Sequence, residues 1–226
     1  MKPPLFKYIK AENVEATLAT LGEHGEDAKI LAGGQSLVPM LNFRIAEPAV
    51  LVDINPVSEL DYISLENDVI LIGARTRQRS LEFSPEIKQK CPILAEATKW
   101  IGHAQIRNRG TVGGSLVHGD PRSELALIMT LLDSTLVIEG QSKTRTSLAS
   151  DFFESFMTTK IAPDELLKEI RIPTKKSNSG FGFRELCIRH GDFAVVAAAA
   201  LIRTCLLYTS DAADERSSVD LGGRRI

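Results

Sequence analysis

Cysteine is scarce in this chain: Cys91, Cys187 and Cys205 are the three among 226 residues, far apart and odd in number. Neither a disulfide framework nor a Cys-x-x-Cys metal or cluster site can be written from them, so any metal cluster working with the chain must sit on another polypeptide. The four histidines, His24, His103, His118 and His190, show no His-x-x-x-His spacing and read as surface or loop residues. Long apolar runs are missing too. No stretch reaches the roughly 18 residues that a membrane span needs, and Met1 to Lys10 lacks the apolar centre of a secretory signal, so a cytoplasmic location is the expectation. Charge of one sign is also absent: 27 basic against 29 acidic residues leave a net charge of -2. Without a basic surplus to neutralise a phosphate backbone, nucleic acid is not an expected partner.

What is there suits a globular protein, 43% hydrophobic and 25% charged, with one large domain or two small ones. Val14, Leu18 and Leu21 follow helical spacing, and Lys29 to Ala32 reads as a short buried strand running into Gly33-Gly34-Gln35-Ser36. Leu37 to Phe43 can form a short helix with Pro39 in its first turn, and Val50 to Ile54 a second strand closed by Asn55-Pro56. A second unit begins near Glu59. It holds a strand at Val69 to Gly73, a turn or helix at Thr76 to Glu82 and a helix at Ile93 to Trp100. A polar stretch, Gln105 to Arg109, leads into Thr111-Val112-Gly113-Gly114-Ser115, and Glu124 to Leu132 is apolar on nearly every face, as in a helix buried all round. Strands at Thr135 to Glu139 and Leu167 to Ile172 follow, then a linker-like Thr174 to Gly180. A third unit opens at Phe181 and includes Val195 to Ile202, an apolar run suited to a strand or a buried helix. From Cys205 onward apolar periodicity is lost. Residues 205–226 resemble a translated sequencing-adapter fragment and are set aside as a non-native tail. The expected boundaries are 1–57, 58–175, 176–204 and 205–226.

Paired glycines at a strand end allow positive φ and remove the Cβ that would block a close ligand, so backbone N–H groups can point at an anion. In Ala32-Gly33-Gly34-Gln35-Ser36-Leu37 such groups, the Ser36 hydroxyl and a helix start could converge on a phosphate. A plain strand-to-helix turn is the competing account of this loop taken alone. Thr111 to Ser115 repeats the chemistry eighty residues on, and neither copy has the Walker lysine or the G-x-G-x-x-G order. Two such cradles without a lysine suit a diphosphate held from both sides, in a large nucleotide clamped between units.

Four stretches in order, Leu31 to Met40, Gly73-Ala74-Arg75-Thr76, Gln105 to Pro121 and Arg189-His190-Gly191-Asp192-Phe193-Ala194, carry a resemblance over residues 3–203. The chain is similar to the FAD-binding medium subunits of the xanthine dehydrogenase and aerobic carbon monoxide dehydrogenase family. The resemblance implies an α+β fold, an FAD-binding fold (PCMH-type) of two α/β subdomains, followed by a C-terminal α+β subdomain that is truncated here. It implies non-covalent FAD stretched between the subdomains. Ala32, Gly33, Gly34, Gln35, Ser36 and Leu37 would grip the diphosphate, and Thr111, Gly113, Gly114 and Ser115 would complete the grip. By the same likeness Asp120 and Glu124 lie near the ribityl or adenosine portion, Leu167 near the ring system, and Ile101 and Ile106 at apolar contacts. Family members commonly carry His or Asn where this chain has Gln35 and Ser115, and some have a lysine near the flavin where it has Glu185; a carboxylate there would disfavour a negatively charged reduced flavin.

The function so implied is an electron-transfer flavoprotein subunit of a molybdenum hydroxylase complex. Its partners would be a large subunit with the molybdenum cofactor and a small subunit with 2Fe–2S clusters; the external acceptor would be NAD or a quinone. Two other accounts are a free-standing FAD oxidoreductase on a small substrate and a non-enzymatic nucleotide-binding module. No Ser-His-Asp set, paired carboxylate or nucleophilic cysteine can be assembled from sequence order, so the protein's share is binding, orientation and potential, with no catalytic side chain. Arg107 and Arg109 either neutralise the diphosphate or are solvated beside a polar turn. Asp192 and His190 fit a turn, Glu124 fits a first-turn helix acid as well as a ligand contact, and Trp100 and Phe43 fit the core.

Overall fold

A computed structural model describes residues 2–204; residues 205–226, on which the expectation of a non-native tail falls, lie outside the described residues, Cys205 included.

The first unit is a three-stranded parallel sheet, in the order β1 (Lys7–Lys10), β3 (Val50–Asp53), β2 (Ala28–Leu31). All four residues of β3 are buried, as a central parallel strand covered on both faces requires. Helix α1 (Val14–His24) lays Val14, Leu18 and Leu21 on this sheet; Asn13 caps it by accepting from the Ala16 amide at 2.7 Å, and Gly25 at φ 51 ends it. The short helix α2 (Leu37–Asn42) follows β2, with Pro39 inside it.

The second unit is a five-stranded antiparallel sheet: β4 (Ile63–Glu66), β5 (Val69–Gly73), β10 (Leu166–Pro173), β6 (Thr135–Glu139), β7 (Thr144–Leu148). Between β5 and β6 the chain makes six helices: α3 (Gln78–Phe83), α4 (Pro85–Lys90), α5 (Pro92–Thr98), α6 (Ala104–Arg109), α7 (Val112–His118) and α8 (Glu124–Leu131). Helix α9 (Ala149–Phe152) and the small pair β8 (Phe153–Ser155) and β9 (Thr158–Thr159) follow β7. Helix α8 is buried on most of its surface, with Leu125, Ala126, Ile128 and Met129 inside, because helices α5, α7 and α9 pack around it. Each fully buried Ile, Leu, Met or Phe of this core contributes roughly 1.5–3 kcal/mol. Leu60 and Leu166 reach from the second unit into the first unit's core, so the two cores share a wall.

The third unit is an antiparallel hairpin, β11 (Ser179–Leu186) and β12 (Val196–Arg203). Phe183 and Ala199 turn inward onto the second core, which settles Val195 to Ile202 as a strand of alternating exposure. The expected linker is tied down: the Thr174 and Lys175 amides donate to Asp68 and Lys90 carbonyls. The polar stretch Gln105 to Arg109 lies in α6. One further expectation is corrected: Gly113-Gly114 is no loop but the first turn of α7. Capping and packing override the poor helix propensity of glycine there.

Candidate cofactor site

The first glycine pair leaves the end of β2 with Gly34 in the left-handed region, φ 73, where a residue with a Cβ is strained. The turn closes on itself through oxygens: Val38 N donates to Gly34 O at 3.1 Å, Met40 N to Ser36 O at 3.2 Å, and Gln35 Nε2 to Gly33 O at 3.2 Å. Among the described residues the amides of Gly33, Gly34, Gln35, Ser36 and Leu37 have no acceptor. Gln35 and Ser36 are exposed. Five successive N–H groups without an acceptor among the described residues are donors that an anion can satisfy.

That turn is braced from below. Asn55 Nδ2 donates to Ala32 O at 2.9 Å, while Asp53 accepts from the Asn55 amide at 2.8 Å. The Arg77 guanidinium donates to Asn55 Oδ1 at 2.6 Å and to the Arg109 carbonyl, and Arg75 donates to Asn55 O at 2.9 Å. The sequence marks Asn55-Pro56 only as a strand end and gives no sign that Asn55 and Arg77 brace this turn. Gly33 abuts the Arg109 carbonyl, and a Cβ on it would stand 2.8 Å from Gly110 Cα. Glycine is needed at 33 because two backbones meet there.

The second glycine pair follows directly. Thr111 caps α7, its Oγ1 accepting from Gly114 N at 3.1 Å; Gly113 N donates to Ala74 O at 2.8 Å and Ser115 N to Thr111 O at 3.2 Å. A Cβ on Gly113 would lie 2.6 Å from that of Ala74, so this glycine serves the packing of α7 beside β5. Gly114 is exposed, and a Cβ on it would come 3.9 Å from Ala32 Cβ. The two pairs thus adjoin, with Gly114 as the member that faces the first turn.

From Ser115 the site continues to the carboxylates. Ser115 Oγ lies 3.1 Å from Ser123 Oγ, and Ser123 caps α8, whose first residue is Glu124. Burial pushes the Glu124 carboxyl up to about 7; its own backbone amide opposes the shift, and the charges of Glu185 and Asp120 add to it. Burial works against the Asp120 carboxylate as well, but Arg122, through its side chain and its backbone amide, holds it below the usual range. Among the described residues both oxygens of Glu185, on β11, are shut off from solvent and have no hydrogen-bond partner.

Ile101 and Ile106 are half-buried and lie on either side of Gly102, whose φ is 47 and whose Cβ would meet Ile106 Cδ1 at 2.8 Å. Arg107 fits neither of its expected roles. It is buried, paired with Glu82 at 2.9 Å, and donates to the carbonyls of Ile101 and Gly102 at 3.0 and 3.2 Å. Arg109 is exposed. Leu167 stands apart from the other expected contacts: it is 2% exposed, inside the second core. The β11–β12 connection folds over the carboxylates, His190 stacking on Trp100 at 5.5 Å and Phe193 lying under the Arg122 guanidinium at 4.0 Å. Asp192 makes the expected turn, its amide donating to Arg189 O. Among the described residues no His, Cys, Asp and Glu group could hold a metal ion.

A family model described as "FAD binding domain in molybdopterin dehydrogenase" matches residues 4–175. The 6-hydroxypseudooxynicotine dehydrogenase complex subunit alpha of Paenarthrobacter nicotinovorans is 45% identical over 202 residues, which is 89% of this chain and 68% of that one. The caffeine dehydrogenase subunit beta of Pseudomonas sp. (strain CBB1) is 41% identical over 89% of this chain and 69% of its own. Among solved structures, a chain of carbon monoxide dehydrogenase from Hydrogenophaga pseudoflava superposes with a TM-score of 0.89 at 38% identity, covering 91% of this chain and 71% of that chain.

Proposed function

The chain belongs to the family of FAD-binding domains of molybdopterin dehydrogenases, an FAD-dependent oxidoreductase subunit of molybdenum hydroxylase type, and from that premise we propose how its residues hold the cofactor and what they hold it for. The unpartnered amides of Gly33 to Leu37 take the FAD diphosphate. They fit it: an anion is the ligand that five successive N–H groups without acceptors call for. From the other side, Gly114 offers a surface bare of side chain, Ser115 a hydroxyl and Thr111 the cap that fixes both. Because Val112, Gly113, Gly114 and Ser115 already donate within the protein, this wall shapes the site more than it binds charge. Ile101 and Ile106 line an apolar flank; Asp120, Glu124 and Glu185 supply the polar far end. Residues 1–57 and 58–175 act as the two FAD-binding subdomains, and 176–204 as the opening of a third.

FAD, when bound, supplies the redox chemistry, taking electrons singly and releasing them in pairs. The chain's own residues bind, orient and exclude water. In such a complex 2Fe–2S clusters on a small partner would supply the electrons, a large partner would hold the molybdenum cofactor that oxidises substrate, and NAD or a quinone would be the acceptor. The relatives' names support a multi-subunit setting, since one is a subunit of a dehydrogenase complex. The amide row carries the reading, and titration of the purified chain with FAD tests it. Quenching of flavin fluorescence by FAD but far weaker binding of riboflavin, which lacks the diphosphate, is expected; equal affinity for both would overturn the assignment of the amides.

A further inference from the structure

Helix α3 buries Gln78 and Leu81 and leaves Arg79, Ser80 and Phe83 exposed. Arg79 and Phe83 are four residues apart, on one side of the helix, and the guanidinium carbon stands 4.6 Å from the ring centroid. Lys88 of α4 stands 5.3 Å from the same centroid. The ring is nevertheless 52% exposed. Beside it lies a cleft of about 420 Å³, lined by Arg77, Arg79, Ser80, Phe83 and, from α6, Asn108. Asn108 is two residues beyond Ile106, about 200° round the helix. The cleft therefore lies on the side of α6 away from the apolar flank assigned to FAD.

Charge in this cleft is of one sign, although the chain as a whole carries -2. No carboxylate lines it. The acids nearby are engaged: Glu82 pairs with Arg107 at 2.9 Å, Asp61 pairs with Arg75 at 2.6 Å, and Glu86 accepts from the Ser84 hydroxyl at 2.6 Å. Arg77 donates to neutral acceptors, Asn55 Oδ1 and the Arg109 carbonyl. Burial and the charges of Arg109 and Arg75 push its pKa down, against the opposite pull of Asp61 and Asp53. Among the described residues the Arg79 guanidinium has no carboxylate partner, and the Ser80 hydroxyl and the Asn108 side-chain amide have no hydrogen bond. An unpaired guanidinium, a hydroxyl and an amide together suit a phosphate group, and a half-bare aromatic ring suits a planar body attached to it. The volume falls in the range of small-molecule sites, about 300–1,000 Å³. We propose that the cleft between α3 and α6 is a second ligand site, separate from the FAD site, which binds a phosphate group of a small nucleotide through Arg79, Ser80 and Asn108, with the base against Phe83. Arg77 joins the two sites, since it lines the cleft and also holds Asn55 beneath the first glycine pair.

Isothermal titration of the FAD-saturated chain tests this, with adenosine diphosphate as the probe. The diphosphate is expected to bind on top of FAD, more weakly as salt rises because the cations are exposed. Adenosine, which has no phosphate, is expected not to bind. Arg79→Gln should weaken diphosphate binding about tenfold, the loss of one charge-assisted hydrogen bond, and Asn108→Ala should weaken it less. Both residues are exposed, so both variants should keep the wild-type Tm and FAD affinity. Lys176→Gln, which removes an exposed charge outside the cleft, should leave diphosphate binding as it was. The proposal is overturned if the FAD-saturated chain takes up no diphosphate, if adenosine binds as tightly, or if Arg79→Gln weakens binding no more than Lys176→Gln. Each of these outcomes leaves the FAD reading standing. If the chain takes up no FAD, that reading fails by itself, and the same titration on the chain alone, compared with Arg79→Gln, still decides the cleft.

Discussion

At Gly33-Gly34 five successive amides, Gly33 to Leu37, have no acceptor among the described residues, whereas at Gly113-Gly114 every amide from Val112 to Ser115 donates within the protein. The residue types are nearly the same and the surroundings differ. The first pair leaves a parallel strand with one glycine at φ 73 in a turn that closes through its oxygens, so its amides are left without acceptors. The second sits inside a capped helix, where the first-turn amides that normally lack partners find Thr76, Ala74 and Thr111. A glycine pair is therefore not a phosphate signal in itself. What matters is whether the fold leaves its N–H groups free. The first pair should act on binding, the second on folding.

The largest effect is expected from the frame of the second pair. Arg107→Ala leaves the partly buried Glu82 without its cation and two carbonyls without donors, and should cost about 3 kcal/mol in denaturant unfolding. Next come the glycines themselves. Gly113→Ala drives a Cβ into Ala74 and should cost about 1–3 kcal/mol of stability, with FAD affinity unchanged in the folded fraction. Gly34→Ala meets only the ends of the Val38 and Leu31 side chains, but strains φ by about 1–2 kcal/mol, and relief of that strain turns the amide row. Its FAD affinity should fall about tenfold for each 1.4 kcal/mol so lost, and Gly34→Asn should recover part, since Asn tolerates the left-handed region. A Gly113→Ala protein that unfolds normally but loses FAD would break the contrast.

Much of this architecture was legible. Buried strands at β3, β5, β6 and β10 and the enclosed helix α8 announce themselves by apolar runs of the right length. The misses have physical causes. Strand β4 is short and half-exposed, so it carries little apolar signal, and the Asn67-Asp68 pair that turns it into β5, both residues at positive φ, lacks the glycine of the strongest hairpin turns. Helix α6 has a polar surface because its one strong anchor is Arg107, a charge, rather than an apolar stripe. The glycine pairs were visible, but the hydrogen bonds that divide their roles run to Ala74, Thr76 and Asn55, partners that spacing along the chain does not reveal. Burial of Glu185 likewise depends on a hairpin whose apolar run reads as strand or helix alike.

A smaller effect sharpens the comparison at the cap. Thr111→Val keeps the shape and removes the oxygen that accepts from Gly114 N, freeing in the second pair an amide of the kind the first pair has by construction. Loss of the cap should cost about 1 kcal/mol, read as a lower Tm. If the freed amide then strengthened FAD binding, the two pairs would differ by that cap alone.

The smallest effect is on the brace beneath the first pair. Burial works against the Asp53 carboxylate, but the Tyr8 hydroxyl and the backbone and side-chain amides of Asn55 outweigh it and hold its pKa below the ordinary value. A carboxylate with its folded pKa lowered contributes stability that is present above its unfolded pKa and is lost as pH falls through the folded one. Below about pH 4 protonation of Asp53 therefore loosens Asn55, which holds Ala32 O and receives Arg77. Asp53→Asn should lower the neutral-pH Tm slightly and flatten the acid limb of the Tm profile. Because Asn55 reaches the first pair through Ala32 and the second only through Arg77 and the Arg109 carbonyl, FAD affinity should fall in this variant more than the stability of α7 does, as read by fluorescence titration beside amide exchange in α7.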